Sequence, residues 1–199
     1  MSGRTWLRNE EGMTLIELMA YSLLLVVVIA VAGGMIIASL RGQQTITQLS
    51  NSTSTGQDVA QSIVKGIRNS SSAAVTSGAA GTMLSARTGT FVAAGTATWQ
   101  CRAWLYTTTT QQLWSTSSSA AITLPASATS LSGWSLIASN VTVPSGSPAV
   151  FARGSSSPFS VTLAMKVGVA SGGGRPMLVN TVVTPQTLPT TTGSGPATC

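Results

Sequence analysis

Near its start the chain reads Glu10-Glu11-Gly12-Met13-Thr14-Leu15-Ile16-Glu17-Leu18, where two acidic residues give way to an apolar segment. That segment runs for 28 residues from Met13 to Leu40, and Glu17 is its one charged side chain. A helix needs about 20 residues to cross the hydrocarbon core of a bilayer, so the segment is long enough to span a membrane. A charge inside such a helix costs about 2.5–3.5 kcal/mol on insertion scales, which makes Glu17 a candidate functional residue.

The residues alone leave two plainer interpretations of the segment open. A secretory signal has a shorter apolar core followed by a small-residue cleavage site, and Ala30-Val31-Ala32 could serve as that site. The segment could also be an ordinary single-pass anchor. Both leave Glu17 without a role, unless it lies at the membrane surface, where the helix dipole favours a negative charge. Arg4 and Arg8 favour a cytoplasmic N-terminus, although Arg41 follows the segment.

The residues Gly12-Met13-Thr14-Leu15-Ile16-Glu17-Leu18-Met19, followed by an uninterrupted apolar helix, resemble the class III signal of type IV prepilins and type II secretion pseudopilins. The resemblance covers about 30 of the 199 residues, and Met13 stands where Phe is commonest in the family. Beyond residue 45 no particular pilin is resembled closely, but the arrangement is similar to that of the PilW-like (J-type) minor pilins.

The resemblance implies a processing pathway and a set of partners. Residues 1–12 would be a leader that a prepilin peptidase removes after Gly12, and the same enzyme would methylate the new amine of Met13. Residues 13–40 would serve first as a transmembrane helix and then as the spine of a filament. The other partners implied are further pilin subunits, which pack through this helix, and the assembly platform of the inner membrane.

Within that segment the resemblance assigns roles to the first turn and to a glycine pair. Glu17, beside Thr14, Leu15 and Ile16, would make the assembly contact by pairing with the N-terminal amine of a neighbouring subunit. Gly33 and Gly34 could mark a point where the helix melts on entering the filament. Close packing of helices through small residues is an equally good explanation of the glycine pair.

After the apolar segment the pattern predicts an amphipathic continuation of the helix over 41–69 and an exported β-rich domain over 70–199. The helical face is marked by apolar or small side chains at Ile46, Leu49, Thr53, Ala60, Ile63 and Ile67. Beyond residue 70 the pattern has period two, and strands are predicted over 98–107, 112–115, 134–142, 159–169 and 177–183. The fold class expected is α+β, with a long hydrophobic helix packed by its C-terminal half on an antiparallel sheet.

Stretches rich in Ser, Thr, Gly and Pro predict loops over 70–72, 107–110, 117–119 and 189–197, and hairpin-like turns over 145–148 and 172–174. The two cysteines, Cys101 and Cys199, predict a disulfide, because an even pair outside the cytoplasm is normally bridged. A buried free Cys101, or a bridge to another subunit, remains open.

Composition argues against an enzyme. The chain has no His, and Asp58 is the one carboxylate side chain beyond the apolar segment. A carboxylate pair, a His-dependent triad and the common metal sites cannot be built from these residues. We therefore expect no catalytic residue, no metal and no cofactor.

The net charge of +6 suggests contact with an anion such as DNA or a cell-surface polymer. The candidates are Arg102, Lys166, Arg153 and Arg175, with Trp104 and Tyr106 as rings that could stack on bases. The alternative, favoured because the basic residues are scattered along the chain, is that the two rings pack beneath the sheet or against a neighbouring subunit and that the arginines form a solvated edge.

The function expected is that of a minor pilin of a type IV pilus, acting in assembly, at the tip or in surface contact. Two alternatives are a pseudopilin of a type II secretion system and a DNA-binding pilin for natural transformation. The chain would cross the cytoplasmic membrane once before assembly, with its N-terminus inside, and would lie in a cell-surface filament afterwards.

Overall fold

The computed structural model of the chain describes residues 14–93, 96–129, 131–155, 159–168, 176–186 and 199. Contacts between Cα atoms divide the chain into two units, residues 1–44 and residues 45–199. The leader 1–12, the peptide bond between Gly12 and Met13, and Arg175 all lie outside the described residues.

The first unit contains the beginning of helix α1, which runs over Leu15–Arg68. Its large apolar side chains from Leu15 to Leu40 are each between 50% and 78% exposed, and they occupy every side of the helix. In the described part of the chain, α1 is the one helix that is long and apolar enough to cross a membrane. The predicted apolar helix is therefore confirmed, and it is compatible with a single-pass membrane anchor.

The second unit holds the end of α1 and two antiparallel sheets. The first sheet is a meander of five strands in chain order: β1 (Ser70–Gly78), β2 (Gly81–Ala93), β3 (Thr96–Thr107), β4 (Gln112–Ser118) and β5 (Ser135–Ala138). In the second sheet, β8 (Val161–Val167) pairs with β6 (Val141–Thr142), β7 (Phe151–Arg153) and β9 (Met177–Val183). The expected α+β class, with the helix packed by its C-terminal half on antiparallel sheet, is confirmed.

The helix packs on the sheets through a narrow face made largely of small residues: Ser52, Gly56, Val59, Ile63, Gly66 and Ile67 are buried. From Ser52 to Gly66 the spacing alternates between four and three residues, and Ile67 follows Ile63 by four, which keeps them all on one side of the helix. The core beneath them combines Leu84 and Trp104 of the first sheet with Leu163 and Met165 of the second. Both sheets thus share one core with α1.

The predicted helix face is correct at Ile63 and Ile67 but wrong at Ile46 and Leu49, which are 69% and 44% exposed. The reason is that the buried part of α1 begins at Ser52, beyond both residues. Two of the positions that do pack are glycines, because the side chains of the sheets lie very close to the helix there. A Cβ added at Gly66 would overlap Cη2 of Trp104 and lie 2.8 Å from Cζ2 of the same ring. Apolar periodicity cannot detect a face whose packing depends on the absence of a side chain.

Strand β3 is buried on both of its faces. Trp104 and Tyr106 lie in the core under α1, whereas Ala103 and Leu105 belong to a second cluster with Met83. That cluster is completed by partly buried side chains from β4 and from the segment before β5, namely Trp114, Ile122, Leu124, Leu131 and Trp134. The hydroxyl of Tyr106 donates a hydrogen bond to the carbonyl of Val141 at 3.1 Å, which links the two sheets, and burial raises the pKa of this phenol.

Several strand predictions need correction. β1, β2 and β7 were not predicted, and the supposed loop over 70–72 is the start of β1, because pairing with β2 satisfies its backbone. The loop predicted over 117–119 begins within β4, which ends at Ser118, and the strand predicted over 134–142 divides into β5 and β6 of different sheets. The strand over 177–183 is confirmed. The loop predicted over 107–110 is a turn from Thr108 onward, because Thr107 ends β3. A turn is present within 145–148, but it is not a hairpin, because the strands that it joins, β6 and β7, both pair with β8. The segments 172–174 and 189–197 lie outside the described residues.

Cys101 is fully buried on β3 and forms a disulfide with Cys199, with the two Cα atoms 5.5 Å apart. The predicted bridge within the chain is therefore confirmed. It closes a loop between residues that are 98 apart in sequence, and the chain-entropy model assigns such a loop about 4–5 kcal/mol of stabilisation.

We predict that Gly66→Ala lowers the free energy of unfolding by about 1–2 kcal/mol, because overpacking against the rigid Trp104 ring outweighs the gain of about 1 kcal/mol in helix propensity. Two matched substitutions, Gly56→Ala and Gly42→Ala, should lower the free energy of unfolding by less. At Gly56 the atom in the way is the flexible Met177 thioether, 2.6 Å from the added Cβ, and at Gly42 nothing lies within 4 Å. Denaturant titration of the three variants checks this order, and a Gly66→Ala protein as stable as Gly42→Ala would contradict it.

We also predict that Cys199→Ala lowers the free energy of unfolding by about 3–5 kcal/mol, since the denatured chain regains the entropy of an open loop. In a Cys101→Ala background the same change should have almost no further effect, because the bridge is already absent. The four proteins form a double-mutant cycle, read by denaturant unfolding under oxidising conditions. If Cys199→Ala lowers the free energy of unfolding equally in both backgrounds, then the disulfide is not what stabilises the fold.

Candidate functional site

The first turn of α1 gathers the four residues that the sequence placed at the assembly contact. Thr14 is the N-cap, since its carbonyl accepts hydrogen bonds from the backbone of Glu17 and Leu18 at 3.0 and 3.1 Å. The Thr14 hydroxyl also accepts from the Glu17 amide at 3.4 Å. Threonine followed three residues later by glutamate is the sequence pattern of a capping box, so the helix start is encoded locally.

Glu17 stands in the first turn with its side chain exposed. Its carboxylate Oε1 accepts a hydrogen bond from the hydroxyl of Tyr21 at 3.2 Å, one turn further along the helix. A carboxylate offers about four acceptor positions, so this contact leaves room for a further donor such as an amine. Position three of a helix also suits an acidic residue through the helix dipole, but that interaction does not require an apolar surround.

Tyr21 is a candidate site residue that the sequence analysis did not identify. The spacing of four residues between Glu17 and Tyr21 was the available signal, because side chains at i and i+4 are neighbours on a helix. If α1 spans a membrane, the hydroxyl would supply a donor to the carboxylate where water is scarce. Tyr21 thus gives Glu17 a partner within its own chain.

Gly33 and Gly34 lie in the unbroken part of α1. A Cβ added at either position would meet nothing within 4 Å, so the chain by itself gives no packing reason for the pair. The two explanations from the sequence, a melting point and a close contact with another helix, both involve a state in which α1 has neighbours.

The basic candidates are not gathered on one surface. Arg102 is exposed on the first sheet, whereas Arg153 and Lys166 belong to the second. On the second sheet Arg153 pairs with Val161, so its side chain lies on the same face as that buried residue. Lys166 is five residues from Val161 along β8, so its side chain lies on the opposite face. Two arginine side chains stack on aromatic rings. The guanidinium carbon lies 4.0 Å from the ring centroid in the Arg87–Trp99 pair and 5.6 Å in the Arg153–Phe159 pair.

The hypothesis that Trp104 and Tyr106 stack on bases is wrong. Trp104 has no exposed surface and Tyr106 is 5% exposed, because both rings point into the core beneath α1. Any contact with an anion would have to use the scattered basic side chains without an aromatic stripe.

No family model, curated protein or solved structure matches the chain. The candidate site therefore stands on its own geometry: an apolar helix with a capped start, one carboxylate and one hydroxyl donor to it.

We predict that Tyr21→Phe weakens membrane insertion only when Glu17 is present. Loss of the hydroxyl removes a hydrogen bond worth about 0.5–1.5 kcal/mol, so the ratio of inserted to non-inserted chain should fall about two- to ten-fold relative to the same change in a Glu17→Leu background. Insertion of the full chain into microsomal membranes provides the measurement. Ser22→Ala is the matched control, since that hydroxyl donates to the Met19 carbonyl instead. An identical effect of Tyr21→Phe in both backgrounds would show that the two side chains are not coupled.

Proposed function

We propose that this chain is a minor pilin: a protein that is anchored in the cytoplasmic membrane by α1 and is then polymerised into a type IV filament through the same helix. The observation that carries the proposal is the start of α1, where apolar side chains exposed on all sides surround a single carboxylate. A helix that is apolar all round needs either lipid or other helices about it, and a filament spine supplies the second after the membrane has supplied the first.

The carboxylate gives the proposal its mechanism. In lipid the charge of Glu17 is costly, and Tyr21 offsets that cost only in part. After cleavage behind Gly12, the amine of Met13 on a neighbouring subunit would be the cation that pairs with Glu17. Such a pair lowers the energy of the packed helices relative to separate helices in the bilayer, so it favours assembly and fixes the stagger between neighbours.

The disulfide and the two sheets support an exported location for the second unit. A buried bridge of this kind forms and persists in an oxidising compartment. Export of residues 45–199 with retention of the N-terminus is the arrangement that a prepilin requires, and Arg4 and Arg8 favour the same orientation.

Mass spectrometry of filaments sheared from the cell surface tests the proposal. We expect a methylated N-terminal peptide that begins at Met13, in a chain that is scarce relative to the main subunit. A processed chain found only in the membrane would favour a pseudopilin or an assembly primer, and an uncut N-terminus would overturn the pilin proposal.

In the same experiment, we predict that Glu17→Gln leaves cleavage intact but reduces the amount of the chain in filaments by at least about ten-fold. The reason is that removing one member of a desolvated ion pair costs about 3–5 kcal/mol. Asp58→Asn is the matched control, because it removes the other carboxylate side chain that remains after cleavage and leaves the first turn unchanged. Equal incorporation of the Glu17→Gln chain and the wild type would remove the proposed role of the carboxylate.

A further inference from the structure

Strand β9 is an edge strand without the features that normally protect an edge. Over its seven residues it pairs with β8 on one side, and the described part of the chain places no strand on its other side. Its sequence, Met-Leu-Val-Asn-Thr-Val-Val, contains no charge and no proline, and its register with β8 is unbroken. Natural proteins usually block such an edge with a lysine, a proline, a bulge or a very short strand.

The other edges of the described sheets do carry such features. β1 begins with a register shift between Ser70 and Ser72, and β5 is four residues long with a shift in its pairing. In the second sheet, β6 and β7 have two and three residues. The open edge of β9 is therefore a specific property of this strand.

Beside β9 runs a groove that is shared with the last turns of α1. One part, of about 490 Å³, lies between Gln57, Gln61 and Val64 of the helix and the residues of β9 from Met177 to Thr181. An adjoining part, of about 320 Å³, shares Gln61 and Val64 and ends at Lys65 and Arg68. We call this the α1–β9 groove. Leu178 and Val182, on the outer face of the same strand, are 55% and 63% exposed, so apolar contact is available as well as backbone pairing.

We infer that β9 receives an extended, acidic segment of a different polypeptide, which adds a strand to the second sheet and places carboxylates beside Lys65 and Arg68. Strand addition takes its affinity from main-chain hydrogen bonds and its specificity from flanking side chains. The basic end of the α1–β9 groove selects the charge of the incoming segment. This inference concerns the second unit only and does not depend on the proposed filament function.

Charge complementarity also argues against a second copy of this chain as the occupant. Between residues 45 and 199 the sequence contains one acidic side chain, Asp58, against seven basic ones. A second copy would therefore bring positive charge to a positive groove, which is unfavourable at close range. An acidic partner turns the same charges into an attraction that also accelerates encounter.

Hydrogen exchange of the full chain in detergent micelles, with its disulfide intact, tests the inference. The probe is a peptide of about nine residues that alternates valine and glutamate, matched to one in which glutamine replaces each glutamate. We expect the acidic peptide to slow amide exchange in Met177–Val183, and to bind about five- to ten-fold more tightly than its neutral counterpart at low salt. A version methylated on alternate backbone nitrogens should give no protection, because it cannot pair with the edge.

Paired substitutions show whether the basic end of the groove sets the preference. Lys65→Gln with Arg68→Gln should abolish the difference between the two peptides. Arg102→Gln with Arg153→Gln removes the same charge from exposed positions outside the groove and should preserve the difference. Exchange in β8 reports in every variant whether the sheet remains folded.

Three results would overturn the inference. Absence of peptide protection in β9 would show that the edge does not accept a strand. If β9 exchanges as slowly as β8 in the free chain, then the chain itself covers the edge, or a second copy does if that protection rises with protein concentration. Equal binding of the acidic and neutral peptides, unchanged by Lys65→Gln with Arg68→Gln, would exclude an acidic partner.

Discussion

The close approach of α1 to the two sheets is the constraint on which the second unit depends. Glycine at positions 56 and 66 lets the helix lie almost on the side chains of Met177 and Trp104, so one helix covers both sheets at once. Close packing at this contact leaves a polar group without a partner: the buried indole nitrogen of Trp104 has no hydrogen-bond partner among the described residues. A buried donor without a partner lowers stability by about 1–3 kcal/mol, so burial of the large apolar ring must contribute more than that.

The side-chain pattern of α1 changes along its length. Before Arg41 the side chains are mostly apolar on all sides, whereas beyond Thr45 one narrow stripe is buried and the exposed side chains are mostly polar, with Ile46 and Leu49 as exceptions. The change takes place within the polar sequence Arg41-Gly42-Gln43-Gln44, which does not interrupt the hydrogen bonding of the helix. The two parts thus form one continuous helix, and their different side-chain patterns are compatible with a membrane around the first part and water around the second.

The sequence correctly predicted the elements whose side-chain pattern separates apolar from polar surfaces. These are the apolar run at the start of α1 and the strand over 177–183, which has period two. The charge of Glu17 within the apolar run was also visible without the structure. β1 and β2 were missed because they are rich in serine, alanine and glycine, which have little strand preference. Trp104 and Tyr106 could not be placed with certainty, because β3 is buried on both faces and alternation then carries no information about exposure. The contact of Tyr21 with Glu17 and the open edge of β9 are properties of geometry and topology that residue types do not express.

Net positive charge and the open edge of β9 are complementary features of the second unit. An uncharged apolar edge invites pairing between identical chains, and the usual protection is a charge placed on the strand itself. Here the charge lies on the neighbouring helix and over the rest of the unit, where basic residues greatly outnumber the one acidic side chain. Positively charged copies therefore repel one another before their β9 strands can pair. The backbone groups along the edge keep their full hydrogen-bonding capacity. The positive charges thus oppose pairing between copies of the unit, and the same charges would attract an incoming strand of opposite charge.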